Sequence, residues 1–292
     1  MAQSYVFMTD SDSDLPFSLA DQWQVPVVQM PYTLDGVEYL DDNGRTEQGK
    51  VLFERLRAGA KANTSLLPAE VYLDYFEPIL REKDLLFIAF SSKMSNTIQN
   101  IFMARETLLK KYPERKMTVV DTLSISVPMT LILQGAHKLY QSGASMEEVE
   151  QWVLDNRMRA NTIFTVDDLM YLKRGGRIST TQAAVGSLLD LKPILVMGRS
   201  GRIEPESKVQ GRKKAMRTMV EKMVNTIEDA EHQEIVVLHG DSEEAAQELA
   251  GLVRAKIPDI GGIAVRMVGP VIGVHAGPGT LGLAYMGKER TL

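Results

Sequence analysis

The chain has 292 residues, 44% of them hydrophobic, with 33 Lys+Arg against 38 Asp+Glu for a formal charge of −5, and it has no cysteine. That length suggests about two domains with ample core, and the lack of cysteine excludes disulfides, thiolate metal sites and a Cys nucleophile. The acidic balance argues against general nucleic-acid binding, and no run approaches the roughly 20 apolar residues of a membrane span. Met1-Ala2-Gln3-Ser4 leads directly into Tyr5-Val6-Phe7-Met8 without a basic region or a signal-type apolar segment. A cytoplasmic protein without stable membrane insertion is therefore expected.

In chain order, Tyr5–Thr9 predicts a strand, followed by the acidic tip Asp10-Ser11-Asp12-Ser13-Asp14 and a short helix to Trp23 with Pro16 in its first turn. Val25–Met30 predicts a second buried strand. Tyr32–Leu34 and Val37–Tyr39 around Asp35-Gly36 carry the signature of a two-residue hairpin. A helix over 46–56, a loop with Asn63-Thr64-Ser65 and a helix over 69–80 lead to Leu85-Leu86-Phe87-Ile88-Ala89-Phe90, an apolar run suited to a strand buried on both faces.

That strand breaks into Ser91-Ser92-Lys93-Met94-Ser95-Asn96-Thr97 before a helix over 98–109. Ligands collect beyond the carboxyl ends of parallel strands, and helix N-termini favour anions, so this tip is a candidate head-group site. Helix capping is the plainer use of such residues. Strand Met117–Asp121 and helices over 127–141 and 146–159 continue the β-α alternation of a doubly wound sheet.

Beyond residue 160 the pattern changes. Strand 162–166, a short helix over 169–173, the run Arg174-Gly175-Gly176-Arg177-Ile178-Ser179 and a helix over 181–189 precede a hairpin of 194–197 with 202–206. Helix 213–225, strand 234–239, helix 243–256 and strand 264–268 follow. The expected fold is α/β with two α/β domains. Residues 1–160 would form a mostly parallel sheet flanked by helices, and 161–292 a mixed or antiparallel sheet with helices, with a ligand at the interface. The tail from Gly269 to Gly282 holds five glycines and two prolines around His275, and predicts a loop threading a crowded place. The basic block Lys208–Arg217 fits a solvated helix face.

Asp10 and Asp12 after the first strand also match the placement of nucleophile and general acid in haloacid-dehalogenase-like phosphatases, with Mg²⁺ beside them. Asp14 stands where that class has a small residue, and the glycine-rich tail has no place in it. An EF-hand is excluded by Leu15 at the required glycine and Asp21 at the twelfth position. There is no G-x-S-x-G elbow, no phosphate-binding G-x-x-x-x-G-K-[ST] loop, no strand-associated G-x-G-x-x-G and no zinc spacing among the four histidines.

Seven motifs occur in order: Thr9-Asp10-Ser11-Asp12-Ser13-Asp14-Leu15, Asn63-Thr64-Ser65, Ser91 to Thr97, Val120-Asp121-Thr122, Tyr171-Leu172-Lys173-Arg174-Gly175-Gly176-Arg177-Ile178, Leu191-Lys192-Pro193-Ile194 and His275-Ala276-Gly277-Pro278-Gly279. Together they closely resemble the DegV family of bacterial fatty-acid-binding proteins over almost the entire chain. The resemblance implies a long-chain fatty acid buried between two α/β domains. It also implies a role as the acyl-binding, non-enzymatic subunit that presents the carboxylate to a separate ATP-dependent fatty acid kinase, with no cofactor or metal of its own.

Carried over by position, Thr64 and Ser95 match the hydroxyls that bond the carboxylate, His275 the imidazole beside it, and Arg174 the arginine that approaches it. Asn96, a member of the expected ligand set, stands where glycine is usual, a departure that would either change the φ of the loop or add an amide donor to the head group. Gln210 stands where an arginine implicated in engaging the kinase is common.

Overall fold

The computed structural model describes residues 3–179 and 191–292, so the helix expected over 181–189 lies outside the described residues. A four-stranded parallel sheet has the order β2 (Val27–Val28), β1 (Tyr5–Asp10), β6 (Asp84–Ala89), β7 (Met117–Asp121). In β6, Leu85, Phe87 and Ala89 enter one core while Leu86 and Ile88 enter the other. A continuous apolar run does this because successive side chains alternate faces and both faces are covered.

Helices α3 (Ala69–Leu80) and α4 (Thr97–Lys111) cover the first face through Tyr72, Phe76, Ile98 and Ile101. Helix α1 (Phe17–Trp23), α5 (Ser126–Gln141) and α6 (Met146–Asn156) cover the second through Ala20, Met129, Ile132 and Val149. The α6 start carries a capping box, in which Ser145 Oγ accepts from Glu148 N–H and the Glu148 carboxylate accepts from Ser145 N–H.

The second sheet begins at Ala160 and has the order β10 (Ile203–Gln210), β9 (Leu191–Met197), β8 (Ala160–Thr165), β13 (Leu281–Met286), β11 (Glu234–His239), β12 (Gly262–Met267). Its pairings are antiparallel except β11 with β12. Outward residues such as Ile163, Val237 and Leu283 pack under helix α8 (Arg212–Thr226) and helix α9 (Glu243–Lys256), which supply Met216, Met219, Leu249 and Val253. Inward residues Val236, Leu238 and Ala284 join the first core, and Phe164 joins the second. Every residue of α5 from Ser126 to Leu133 is buried, as expected of a helix enclosed between two layers.

Three elements differ from the sequence expectation. Val25–Met30 forms only the two-residue β2, and residues 62–64, expected in a loop, form β5 (Ala62–Thr64), which adds to the hairpin of β3 (Pro31–Leu34) and β4 (Val37–Leu40) as a small antiparallel sheet. The largest correction is the tail. Residues expected to thread as a loop form helix α10 (Pro270–Ala276), with Pro270 at its first turn, and then β13. Gly277, at φ +79°, ends the helix in a conformation that L side chains rarely adopt. The glycines and prolines of the tail hid a short helix, and the opening of a strand, whose partners lie far away in sequence. Helix α7 (Met170–Arg174) is short, as expected, and helix α2 (Gln48–Arg57) packs against α10.

Helices α5 and α6 approach closely at Gly135, where an added Cβ would fall 2.0 Å from Cη2 of Trp152. Gly135→Ala should therefore destabilise the fold despite the better helix propensity of alanine, by roughly 1–3 kcal/mol. Equilibrium urea unfolding monitored by tryptophan fluorescence checks this, and an unchanged or raised midpoint would count against this packing.

Candidate functional site

Segments from both main sheets and their connections meet around a cavity of about 480 Å³, within the range of small-molecule pockets. Its apolar lining includes Met30, Phe90, Met94, Phe164, Leu238 and Val271; its polar lining includes Thr64, Ser95, Asn96, Arg177 and His275.

Helix α10 carries His275 in its last turn, and His275 Nε2 shares a 2.8 Å hydrogen bond with Thr64 Oγ1 at the end of β5. The other ring nitrogen, Nδ1, is buried and has no hydrogen-bond partner among the described residues. Burial, and then the positive charge of Arg177, push the imidazole down to about 3, so it is neutral at physiological pH. Gly175 makes room for the ring, because a Cβ there would lie 2.1 Å from His275 Nδ1.

The tip after β6 forms the opposite wall. Ser95 Oγ accepts from Thr97 N–H at 3.2 Å and pairs with the Thr97 hydroxyl at 2.8 Å, so it both organises the start of α4 and lines the cavity. Asn96 has φ −82°, which any residue adopts, so the expected glycine is not needed for the backbone here. Its side chain makes no cap hydrogen bond, and it lines the cavity. Asn100 Nδ2 donates to Leu67 O at 2.7 Å, tying α4 to the segment that follows Thr64. Ser91 is turned elsewhere: its hydroxyl donates to Gly201 O at 2.7 Å and anchors the β9–β10 turn.

The structure separates the two arginines of the Lys173-Arg174-Gly175-Gly176-Arg177 run. Arg174, the expected head-group cation, ends α7 on the surface with its guanidinium 4.6 Å over the Tyr171 ring and is absent from the cavity wall. The chain turns at Gly175-Gly176, and Arg177, three residues on, lines the cavity with its guanidinium donating to Gly175 O. Its identical chemistry in the same motif was the available signal. Which arginine turns inward depends on where α7 stops.

The acidic tip after β1 has a use that local capping does not predict. No side chain caps α1. Asp14 Oδ1 instead accepts from Gly269 N–H at 2.9 Å, at the start of α10, and Asp14 Oδ2 accepts from the Ser126 hydroxyl. Asp41 Oδ2 accepts from Val271 N–H at 3.5 Å, so two carboxylates serve the positive end of α10. Asp10 is fully buried, faces the backbone N–H groups of Phe90 and Asp12, and is not on the cavity wall. Asp12 is on that wall. Burial raises both carboxyls, and the charge of Asp10 adds to the shift at Asp12 while Arg177 opposes it.

An α/β protein of two layered sheets closing on one internal, part-polar cavity is thus defined by its fold and site. The chain belongs to the DegV family, whose profile, described as an uncharacterised protein family, matches residues 5–288. A DegV domain-containing protein of Clostridium perfringens is 34% identical over 289 residues, covering 99% of each chain. A structure described as fatty acid binding of a DegV family protein from Thermus thermophilus superposes with a TM-score of 0.85 at 32% identity, covering 97% of this chain and 100% of that one. DegV of Bacillus subtilis, described as a fatty acid binding protein, gives a TM-score of 0.82 at 25% identity, covering 98% and 100%.

Burial holds Asp14 and Asp41 up at about 7. Each binds a proton in the folded state that the unfolded chain has lost above about pH 4, so their contribution is present in acid and lost as pH rises through about 7. His275 acts oppositely: its contribution is present above the unfolded value near 6.5 and is lost as pH falls towards about 3. Between pH 5 and 8 Asp41→Asn should flatten the fall in stability by on the order of 2–3 kcal/mol, at about 1.36 kcal/mol per pH unit up to about pH 7. Denaturant unfolding across that range measures it; parallel curves for the two proteins would exclude Asp41 as the source.

Proposed function

We propose that this protein binds one long-chain fatty acid, with the acyl chain against Phe164, Leu238, Met94 and Val271 and the carboxylate among Thr64, Ser95, Asn96, His275 and Arg177. The observation that carries this is the union of an apolar cavity with hydroxyl, amide, imidazole and guanidinium donors in a DegV-family chain. The relatives described as fatty acid binding support the choice of ligand.

The energetics suit it. About 14 to 16 methylenes at about 0.8 kcal/mol each give on the order of 11 to 13 kcal/mol gross, offset by ordering and desolvation. The tail then sets affinity. The charge-assisted hydrogen bonds of the head group set orientation.

In the same proposal the chain is a non-enzymatic carrier that presents the carboxylate to an ATP-dependent kinase subunit for acyl phosphate formation. It would do so without a cofactor of its own, in the cytoplasm, and as two α/β domains meeting near residue 160. Gln210, at the position where the resemblance places a kinase-engaging arginine, is exposed at the end of β10. Nothing in the geometry favours the phosphatase alternative, because a nucleophilic Asp10 would have to touch its phosphoryl group and its carboxylate does not reach the cavity wall.

Protein purified from a bacterial host should carry a fatty acid by native mass spectrometry. A protein with no adduct that also fails to bind added palmitate or oleate overturns the proposal, and adding a kinase subunit with ATP tests for acyl phosphate. Arg177→Ala should weaken oleate binding by roughly 10- to 100-fold, the worth of a charged hydrogen bond, whereas Arg174→Ala should change it little. Ser95→Ala and His275→Ala should weaken binding or phosphorylation without unfolding the protein. Titration calorimetry and thermal melts of the four variants decide between these outcomes.

A further inference from the structure

The head-group donors of the proposed function do not account for Asp12. Its side chain is 4% exposed, lies on the cavity wall, and its Oδ1 has no hydrogen-bond partner among the described residues. A buried carboxyl group with an unpartnered oxygen is costly, and the cavity that Asp12 lines is where a ligand can reach the group.

The charged groups that act on it come from several elements, while Lys93 and Arg202 line the same cavity. Asp10 comes from the end of β1, Asp14 from the turn that follows, and Asp41 from the segment after β4. Arg177 comes from the turn after α7, with the neutral His275 of α10 beyond it. The Tyr72 hydroxyl of α3 faces the same carboxylates and is spent on Met30 Sδ, at 3.6 Å. Three carboxylates and one guanidinium thus surround Asp12.

We propose that Asp12 is a further head-group residue, which as a carboxylic acid donates a hydrogen bond to the ligand carboxylate beside Arg177. This rests on the fatty-acid proposal above and adds to it the form in which the head group is held: an acid–carboxylate pair sharing one proton. Two carboxylates at one guanidinium cannot both stay ionised in a buried site, so one proton must be present. The donor is also the element of selectivity. A carboxylate accepts a strong charge-assisted bond from Asp12, whereas the hydroxyl of a fatty alcohol of the same chain length accepts only a neutral one.

Wherever Asp12 is ionised in the free protein, binding of an ionised acid takes up a proton, and affinity there falls as pH rises, by up to about tenfold per pH unit. Fatty alcohol binding lacks this linkage.

The test is calorimetric titration of the full chain, freed of any copurified lipid, with oleate and with oleyl alcohol between pH 6.5 and 9, in buffers of different ionisation enthalpy. The expected result is a net proton uptake with oleate that grows as pH rises, and none with the alcohol. Infrared difference spectra should show a protonated-carboxyl band in the oleate complex. In Asp12→Asn that band, the proton uptake and the pH slope should all disappear.

Oleate bound by wild type with no proton uptake and no carboxyl band overturns the proposal, whether or not the variant folds. Equal uptake by wild type and Asp12→Asn overturns it too, by placing the proton elsewhere. A wild-type protein that binds neither lipid fails the fatty-acid proposal itself, a separate outcome.

Discussion

The hydrogen bond from Gly269 N–H to the buried carboxylate of Asp14 joins residues 255 apart in sequence, and the site depends on what it fixes. It sets the start of α10, whose first N–H groups have no partners within the helix. Asp41 serves the same end and Ser126 holds the other oxygen of Asp14, so the acidic tip of β1, the segment after β4, α5 and α10 are locked together. Six residues after Gly269 the helix delivers His275 to Thr64. A short helix has little stability of its own, so its direction comes from these two tethers.

The electrostatics of the cavity follow from the same arrangement. Burial keeps His275 neutral, and the charge of Arg177 acts on Asp12 from the same cavity wall. Neutral imidazole has one donor and one acceptor, so the bond to Thr64 and the unpartnered Nδ1 make it an orienting group more than a charge. The backbone accommodates this through Gly175, since any side chain there would occupy the place of the imidazole.

The two walls differ in how they are built. Ser95 and Asn96 stand at the start of a long helix after a strand buried on both faces, a rigid placement. Arg177 stands on the turn after α7 and His275 on the short helix α10, and both are positioned by their neighbours. Helix capping and cavity lining, which compete as readings of Ser95 in the linear chain, are both present. Its hydroxyl bonds Thr97 within the loop and still lies on the wall.

Much was legible from local chemistry. The double-sided apolar run 85–90, the Asp35-Gly36 turn and the alternation of strands and helices reflect short-range sterics and burial, and these read correctly. Ordered motifs pointed to the family. Arg177 was legible only as one of two arginines, because exposure of Arg174 and inward turning of Arg177 follow from the end of α7 and its packing.

The tail misread as a loop has the same origin: β13 is stabilised by pairing with β8 and β11, and α10 by Asp14 and Asp41, partners that no local window contains. The sequence by itself determined the elements whose stability is local and the residue types available to a head group. Tertiary structure decided which of them face the cavity, because burial and pairing over more than 200 residues of separation set the direction of each side chain.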